Sequence, residues 1–188
     1  SAPAVRLPDD REATTAGIGA ALQQSEVVVI SGGVSVGPHD HVKPALDALG
    51  VAERFWSVSL QPGKPTWFGV PAAGLPLVFG LPGNPVSAVV TFSLFVAPAL
   101  AALQGAPSPM PPRPTAVLGT DVARNPQRDQ MIRVRFQDED GGVRAYPTGP
   151  QASHILTSLL GADALARIPA GDGTVPRGST VTLAALAS

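Results

Sequence analysis

The sequence predicts an open α/β sheet followed by a small all-β barrel, on three observations. Over the first hundred residues, apolar β-branched runs alternate with runs of helical spacing, and each pair is joined by a glycine-containing turn. The stretch "QGAPSPMPPRPT" then places five prolines in twelve residues and cannot continue a helix. Beyond it come five short strand-like runs separated by Gly, Pro and Asp, the pattern of a barrel or sandwich of about 75 residues. The proline run reads as a linker, giving an α/β domain over 1–106 and a β domain over 107–188.

In chain order, "REATTAGIGAALQQS" from residue 11 has helical spacing of Ala, Ile and Leu, weakened by two glycines. "EVVVIS" is a continuous β-branched run, as expected of a strand buried on both faces of a parallel sheet. In "HVKPALDALG", Val42, Ala45, Leu46 and Leu49 predict a helix that stops at Gly50, with Pro44 in its first turn. "RFWSVSL" and "PLVFGL" are further strand candidates. The run "VSAVVTFSLFVAPALAAL" is apolar nearly all round, which predicts a buried helix. In the second half, "TAVLGTDV", "QMIRVRFQ", "GGVRAYPTG", "DALARIPAG" and "STVTLAAL" read as strands, and "SHILTSLL" as a short helix.

Composition narrows the function. With 188 residues and 44% hydrophobic content the chain can bury a real core, while a net charge of -1 gives no basic field for general nucleic-acid binding. No cysteine is present, which excludes disulfides, thiolate metal sites and a cysteine nucleophile. No apolar run is read as reaching the ~18 residues of a membrane span, so neither nucleic acid nor membrane is expected as a partner. A cytoplasmic location is the expectation.

Three glycine-rich turns follow three strand candidates: "SGGVSVGPHD" at 31–40, "QPGKP" at 61–65 and "GLPGNPVSA" at 80–88. Ligands of open α/β sheets bind beyond the carboxyl ends of the strands, so these loops are expected to converge on one site. Gly32, Gly33, Gly37, Gly63 and Gly83 would let backbone N–H groups approach an anion, while Ser31, Ser35 and Ser87 add hydroxyls. Each loop also reads as a plain turn, since none matches GxxxxGK[ST] or GxGxxG and Pro-Gly and Asn-Pro form turns unaided. Lys64, set between Pro62 and Pro65, is either a solvated surface charge or a pre-set cation for a phosphate or oxyanion. Asp40 is an N-cap or a magnesium ligand, and Asp9 is the second acid of interest. His39, His41 and His154 lack the spacing of a zinc site, and no serine sits in a GxSxG elbow.

Taken in order, "VVVISGGVSVGPHD", "QPGKPTWFG" and "FGLPGNPVSAVVTF" closely resemble the MoeA family of molybdopterin molybdenumtransferases, which includes the E domain of gephyrin. "YPTGPQASHILTSLLGADALARIP" resembles that family's C-terminal β domain, so the resemblance runs from about Asp9 to the chain end. It implies a partial MogA-like three-layer α/β domain followed by a small all-β barrel. It also implies an activity: insertion of molybdate into adenylated molybdopterin with release of AMP, dependent on a divalent cation taken as Mg2+. By this resemblance Asp9 and Asp40 are active-site and metal-binding acids, and Ser31 to Gly37 form the pterin-phosphate pocket. The same resemblance makes Lys64, Pro65, Ser87, Arg133 and Ser153 the positions expected to hold the molybdate oxyanion, with Pro62, Gly63, Gly83, Asn84 and Pro85 in the two turns.

The sequence departs from the family pattern at Ser57 and Gln61, where lysines are usual, and at Pro38, where an acid is usual. The family's TGDEL-like and DSN-like stretches and two further N-terminal domains are absent, so the chain reads as a C-terminal fragment, inactive alone, of an enzyme that works as a homodimer. The alternatives are a pterin-nucleotide-binding or scaffold module without turnover, and a generic nucleotide-phosphate-binding domain.

Overall fold

The structure, a computed structural model, describes residues 3–34, 40–110 and 113–187. Ser35 and Gly37 of the first glycine loop, with Pro38 and His39, lie outside the described residues. The chain divides into two compact units, Ser1–Ser57 with Pro65–Gly83, and Val58–Lys64 with Asn84–Ser188.

The first unit opens with helix α1, Arg11–Gln24, capped by Asp10, whose Oδ1 accepts from the Ala13 amide at 2.8 Å. Strand β1, Val27–Ser31, follows, then helix α2, Val42–Ala48, and strand β2, Val51–Trp56. Gly50, at φ +72°, ends the α2 segment where the sequence places the stop. Two further strands of this unit, Trp67–Pro71 and Leu77–Leu81, are labelled β4 and β5, because the short Leu60–Gln61 between them and β2 is β3. The sheet order is β1-β5-β4-β2. Ile18, Val28, Val42, Leu46, Trp67 and Val78 fill its core.

Within this sheet, among the described residues, only β1 and β5 pair in parallel, Val28 opposite Val78; β5–β4 and β4–β2 are antiparallel. The expectation of a parallel sheet therefore holds for one pairing. Chain length is the reason: a parallel crossover needs a dozen or more residues, and the few between β4 and β5 allow only a reversal. β1 is also not buried on both faces, since Val29 stays 43% exposed. Nor is "RFWSVSL" one strand. Ser57 sits at φ +69°, a backbone state unfavourable to a strand, so β2 stops at Trp56 and Leu60–Gln61 pairs elsewhere.

The second unit is a closed barrel with one long helix on its outside. Helix α3 runs Pro85–Leu103. The strands are β6 (Thr115–Leu118), β7 (Val122–Ala123), β8 (Asp129–Glu139), β9 (Gly142–Pro147), β10 (Ala164–Ile168), β11 (Thr174–Val175) and β12 (Thr180–Ala184). Pairing runs β8–β9–β6–β12–β10 and back to β8. The 11-residue β8 makes closure possible: Gln130–Val134 pair with β10, Val134–Glu139 with β9, and β3 adds to its start. Alternation along β8 turns Ile132 and Val134 into the barrel core with Leu118, Ala145 and Ile168, while Met131 faces outward onto Val86 and Val90 of α3.

Two expectations for this half are corrected. "SHILTSLL" forms only a four-residue 3-10 turn at Leu156–Leu159. Helix α3 is long and apolar enough to cross a membrane by length and composition, with mean hydropathy 2.2, although only 28% of that stretch is buried. Ser87, Thr91 and Ser93 interrupt the run to the eye. Yet Thr91 and Ser93 return their hydroxyls to the carbonyls of Ser87 and Val89, both at 2.8 Å, so the apolar stretch is longer than it looks. Pro98 cannot donate to Leu94, and the helix widens to a π segment over Phe92–Val96 just before it. From the proline-rich stretch, Ser108, Pro109, Met110 and Arg113 line an apolar cavity of about 530 Å³ beside Leu94 and Ala97 of α3.

Asp129 ties the start of β8 to β10. Its carboxylate accepts from Arg167 Nε at 2.8 Å and the Ala170 amide at 2.9 Å, and the backbone bond, then Arg167, hold it below the ordinary aspartate value of 3.8. A depressed carboxylate stabilises the fold above its unfolded pKa and loses that contribution as pH falls through the folded value. Asp129→Asn is therefore expected to be less stable than the native protein at pH 7, with the difference shrinking below pH 3.8. Urea unfolding across pH 2 to 7 checks this.

Candidate functional site

The expected site residues divide between the two units. In the first, the turn after β1 lies against the turn after β5. The Gly32 amide donates to Leu81 O at 3.0 Å, and a Cβ on Gly83 would sit 3.4 Å from Gly32 Cα. These turns follow the carboxyl ends of the one parallel pair, where an α/β sheet presents its ligand crevice. Gly32 and Gly33 have φ of +86° and +67°. A side chain at 33 would be strained and would meet Val42 Cγ2 at 2.6 Å, so glycine is required there. Ser31 closes β1 at the same place.

Asp40 stands on the other side of that turn, its Oδ1 3.9 Å from where a Gly33 Cβ would be. It is not the N-cap of α2: His41 holds that position without a side-chain bond. Asp9 is exposed, one residue before the N-cap of α1. Among the described residues no three Asp, Glu or His side chains gather into a metal site. A magnesium ion bound chiefly through substrate phosphates needs only one or two carboxylates, and Asp40 beside the glycine turn fits that donor set.

Sequence reasoning missed Lys43. Its Nζ lies 3.3 Å from the centroid of the Trp56 ring, and Trp56 Nε1 donates to Val34 O at 3.2 Å, on the glycine turn itself. Burial lowers the Lys43 pKa from the ordinary lysine value, and the Glu53 and Asp40 carboxylates offset part of that shift.

In the second unit the organising side chain is Arg133, fully buried although it carries charge. It shares the outer face of β8 with Met131 and is opposite Leu165 of β10. Its Nε and Nη2 donate to Ser158 Oγ at 3.1 and 2.9 Å, and Ser158 donates in turn to Ile155 O at 2.6 Å. The Gln151 side chain clamps the Arg133 backbone, accepting from its N–H at 2.8 Å and donating to its carbonyl at 3.3 Å. No carboxylate pairs with Arg133 among the described residues, and desolvation alone lowers its pKa. Gln151 and Ser158 were also missed; the polar spacing of "TGPQASHILTS" was their only sequence signal.

Near the start of α3, Asn84 donates through Nδ2 to Ser153 Oγ at 3.3 Å, Pro85 takes the first helical position and Ser87 is buried. Ser153 lies in the segment between Gln151 and the Leu156–Leu159 turn, so the structure brings Asn84 and Ser153 together directly. The third loop is a tight reversal. Val58 N donates to Lys64 O at 2.9 Å, and Pro62 and Gly63 are buried. Pro65 is half-buried, while Lys64 is exposed and makes no ion pair among the described residues. Gln61 is spent internally: its Oε1 accepts from Asn125 Nδ2 at 2.6 Å.

Residues 3–102 match the family described as a probable molybdopterin binding domain, and residues 115–186 match the MoeA C-terminal region, domain IV. The molybdopterin molybdenumtransferase of Haemophilus influenzae is 34% identical over 94% of this chain and 44% of its own length. Molybdopterin molybdenumtransferase 2 of Mycobacterium tuberculosis is 39% identical over 77% of this chain and 36% of its own. The crystal structure of the molybdopterin biosynthesis MoeA protein of Pyrococcus horikoshii matches with a TM-score of 0.77 at 30% identity, covering 97% of this chain and 42% of that one. The chain thus spans less than half the length of these relatives.

A buried cation with a hydroxyl partner makes a testable distinction. Arg133→Met is expected to leave ligand-free stability unchanged or raised by about 1–3 kcal/mol, because the desolvated charge is gone. Ser158→Ala is expected to lower it by about 1–3 kcal/mol, because the guanidinium then loses that partner. Urea unfolding of the two variants measures both.

Proposed function

This chain belongs to the MoeA/MogA-related family of molybdopterin molybdenumtransferases, and from that premise we propose that it contributes to the insertion of molybdate into adenylated molybdopterin with release of AMP. The observation that carries the reading is Arg133: a buried guanidinium with no carboxylate partner among the described residues is a site in want of an anion. Molybdate is a tetrahedral dianion, and a guanidinium fork, hydroxyls and backbone amides suit it. In this reading Arg133, Ser153, Ser87 and Lys64 hold molybdate, with Asn84 positioning Ser153 and Pro62, Gly63, Pro65 and Pro85 fixing the backbone around them.

The first unit takes the pterin nucleotide. Ser31, Gly32, Gly33 and Gly83 present backbone and hydroxyl donors to its phosphates, and Ser35 and Gly37 are assigned to the same pocket by the family resemblance alone. As AMP leaves, charge builds on phosphate oxygens, and donors already in place stabilise it without reorganisation. Asp40, with Asp9, would hold a Mg2+ that neutralises phosphate charge. The lack of cysteine is no obstacle, because the dithiolene belongs to the pterin.

The two matched regions, 3–102 and 115–186, support reading 1–106 and 107–188 as the two inherited modules. The working protein in this reading is a cytoplasmic homodimer. The side-chain bond of Gln61 to Asn125 favours a second reading. A position where the family usually places a lysine is committed to internal structure, which suits a pterin-nucleotide binder or scaffold without turnover.

Calorimetry with molybdate and with adenylated molybdopterin, followed by assay of AMP release, separates the two readings at full native length. Binding with AMP release supports the transferase; binding without release supports the module. Lys64→Ala and Arg133→Ala are each expected to weaken molybdate binding about tenfold or more, and unchanged affinity in both removes the oxyanion assignment.

A further inference from the structure

Lys43 is a cation that the structure builds into the surroundings of the glycine turn without an ion-pair partner among the described residues. Its Nζ sits 3.3 Å from the Trp56 ring centroid, and no carboxylate comes within ion-pair distance of it among the described residues. Two carboxylates nonetheless act on it from a distance, Glu53 on β2 and Asp40 before α2. Glu53 is committed elsewhere, accepting from Trp67 Nε1 at 2.6 Å. Trp56 is anchored in turn, through Nε1, to the carbonyl of Val34 that follows Gly32 and Gly33. The Gly33 amide donates to no carbonyl among the described residues.

A flexible lysine resting on an aromatic face is held weakly enough to move. An exposed cation–π contact is worth far less than a charge-assisted bond to phosphate, so an anion arriving at the turn outcompetes the ring. The residues at 57 and 61 cannot supply that charge: Ser57 is neutral, and Gln61 is bound to Asn125. We propose that Lys43, parked on Trp56, swings to a phosphate of the pterin nucleotide at the Gly32–Gly33 turn and supplies the positive charge that Ser57 and Gln61 do not. This rests on the pterin-nucleotide reading of that turn.

The test is calorimetry on the protein at full native length, with adenylated molybdopterin and with molybdate separately, for the native protein, Lys43→Met and Lys43→Arg. Lys43→Met is expected to bind adenylated molybdopterin about 10- to 100-fold more weakly. Its binding should also depend less on salt, because one ionic contact is gone. Lys43→Arg should recover most of the affinity, and molybdate affinity should stay unchanged in both variants. Native affinity and salt dependence in Lys43→Met overturn the proposal while leaving the pterin reading intact. Equal loss in Lys43→Met and Lys43→Arg, with salt dependence unmoved, assigns Lys43 to packing on Trp56 and also overturns it. Failure of the native protein to bind adenylated molybdopterin overturns the pterin reading and this inference together.

Discussion

Taking the Arg133 guanidinium out of water is costly, and no carboxylate among the described residues repays it. Much of the second unit's local structure can be understood from that one constraint. β8 must carry Arg133 outward while Ile132 and Val134 close the barrel, which fixes the register of the strand. The segment after β9 must then return over the arginine to satisfy it. Gln151 takes both backbone groups, and Ser158 receives the side chain. Thr148 ties the Arg133 backbone to Ser158, donating through its amide to Arg133 O at 3.0 Å and through Oγ1 to Ser158 O at 2.6 Å. An apolar residue at 133 would still need the Gln151 bonds, which hold its backbone, and only the Ser158 hydroxyl answers the charge.

The first unit works differently, through backbone shape. Its parallel pair ends in two turns that approach at Gly32 and Gly83, where a Cβ at 83 would stand in van der Waals contact with Gly32 Cα at 3.4 Å. Positive φ at Gly32 and Gly33 turns the chain toward α2 without a side chain in the way. The polar groups that surround this turn are held by aromatic residues. Trp56 bonds Val34, and the buried Trp67 fixes Glu53. The two tryptophans of the chain thus serve as scaffolding for charge and for the turn, in addition to packing.

Much of this was legible in the sequence wherever a local rule applied. β-branched runs located β1 and β5, glycines located the turns, and alternation located the strands of the barrel, including β8. Local rules could not say that β4 would pair antiparallel on both sides, since that follows from loop length and closure. They could not distinguish a buried arginine from an exposed one in "MIRVRFQ", where Arg133 and Arg135 share the same parity, and only Arg133 is covered by a later segment. Lys43 was invisible for a similar reason. On α2 it reads as a solvated residue, and its partner Trp56 lies on the next strand, at a spacing that no helical or strand period links.

The two cations also differ in kind, and the difference matches where each stands. Arg133 is desolvated and already oriented by Ser158, which suits the small tetrahedral oxyanion of the proposed reading. Lys43 is a point charge on a flexible stem, resting on a half-exposed ring, which suits the larger ligand of the proposed reading. The buried position is the one that discriminates between them. A buried lysine with one hydroxyl partner would lose its proton more readily than an arginine, whereas either cation keeps its charge on the exposed face of Trp56. The distribution of residue types therefore follows from the depth of each position, before any ligand is considered.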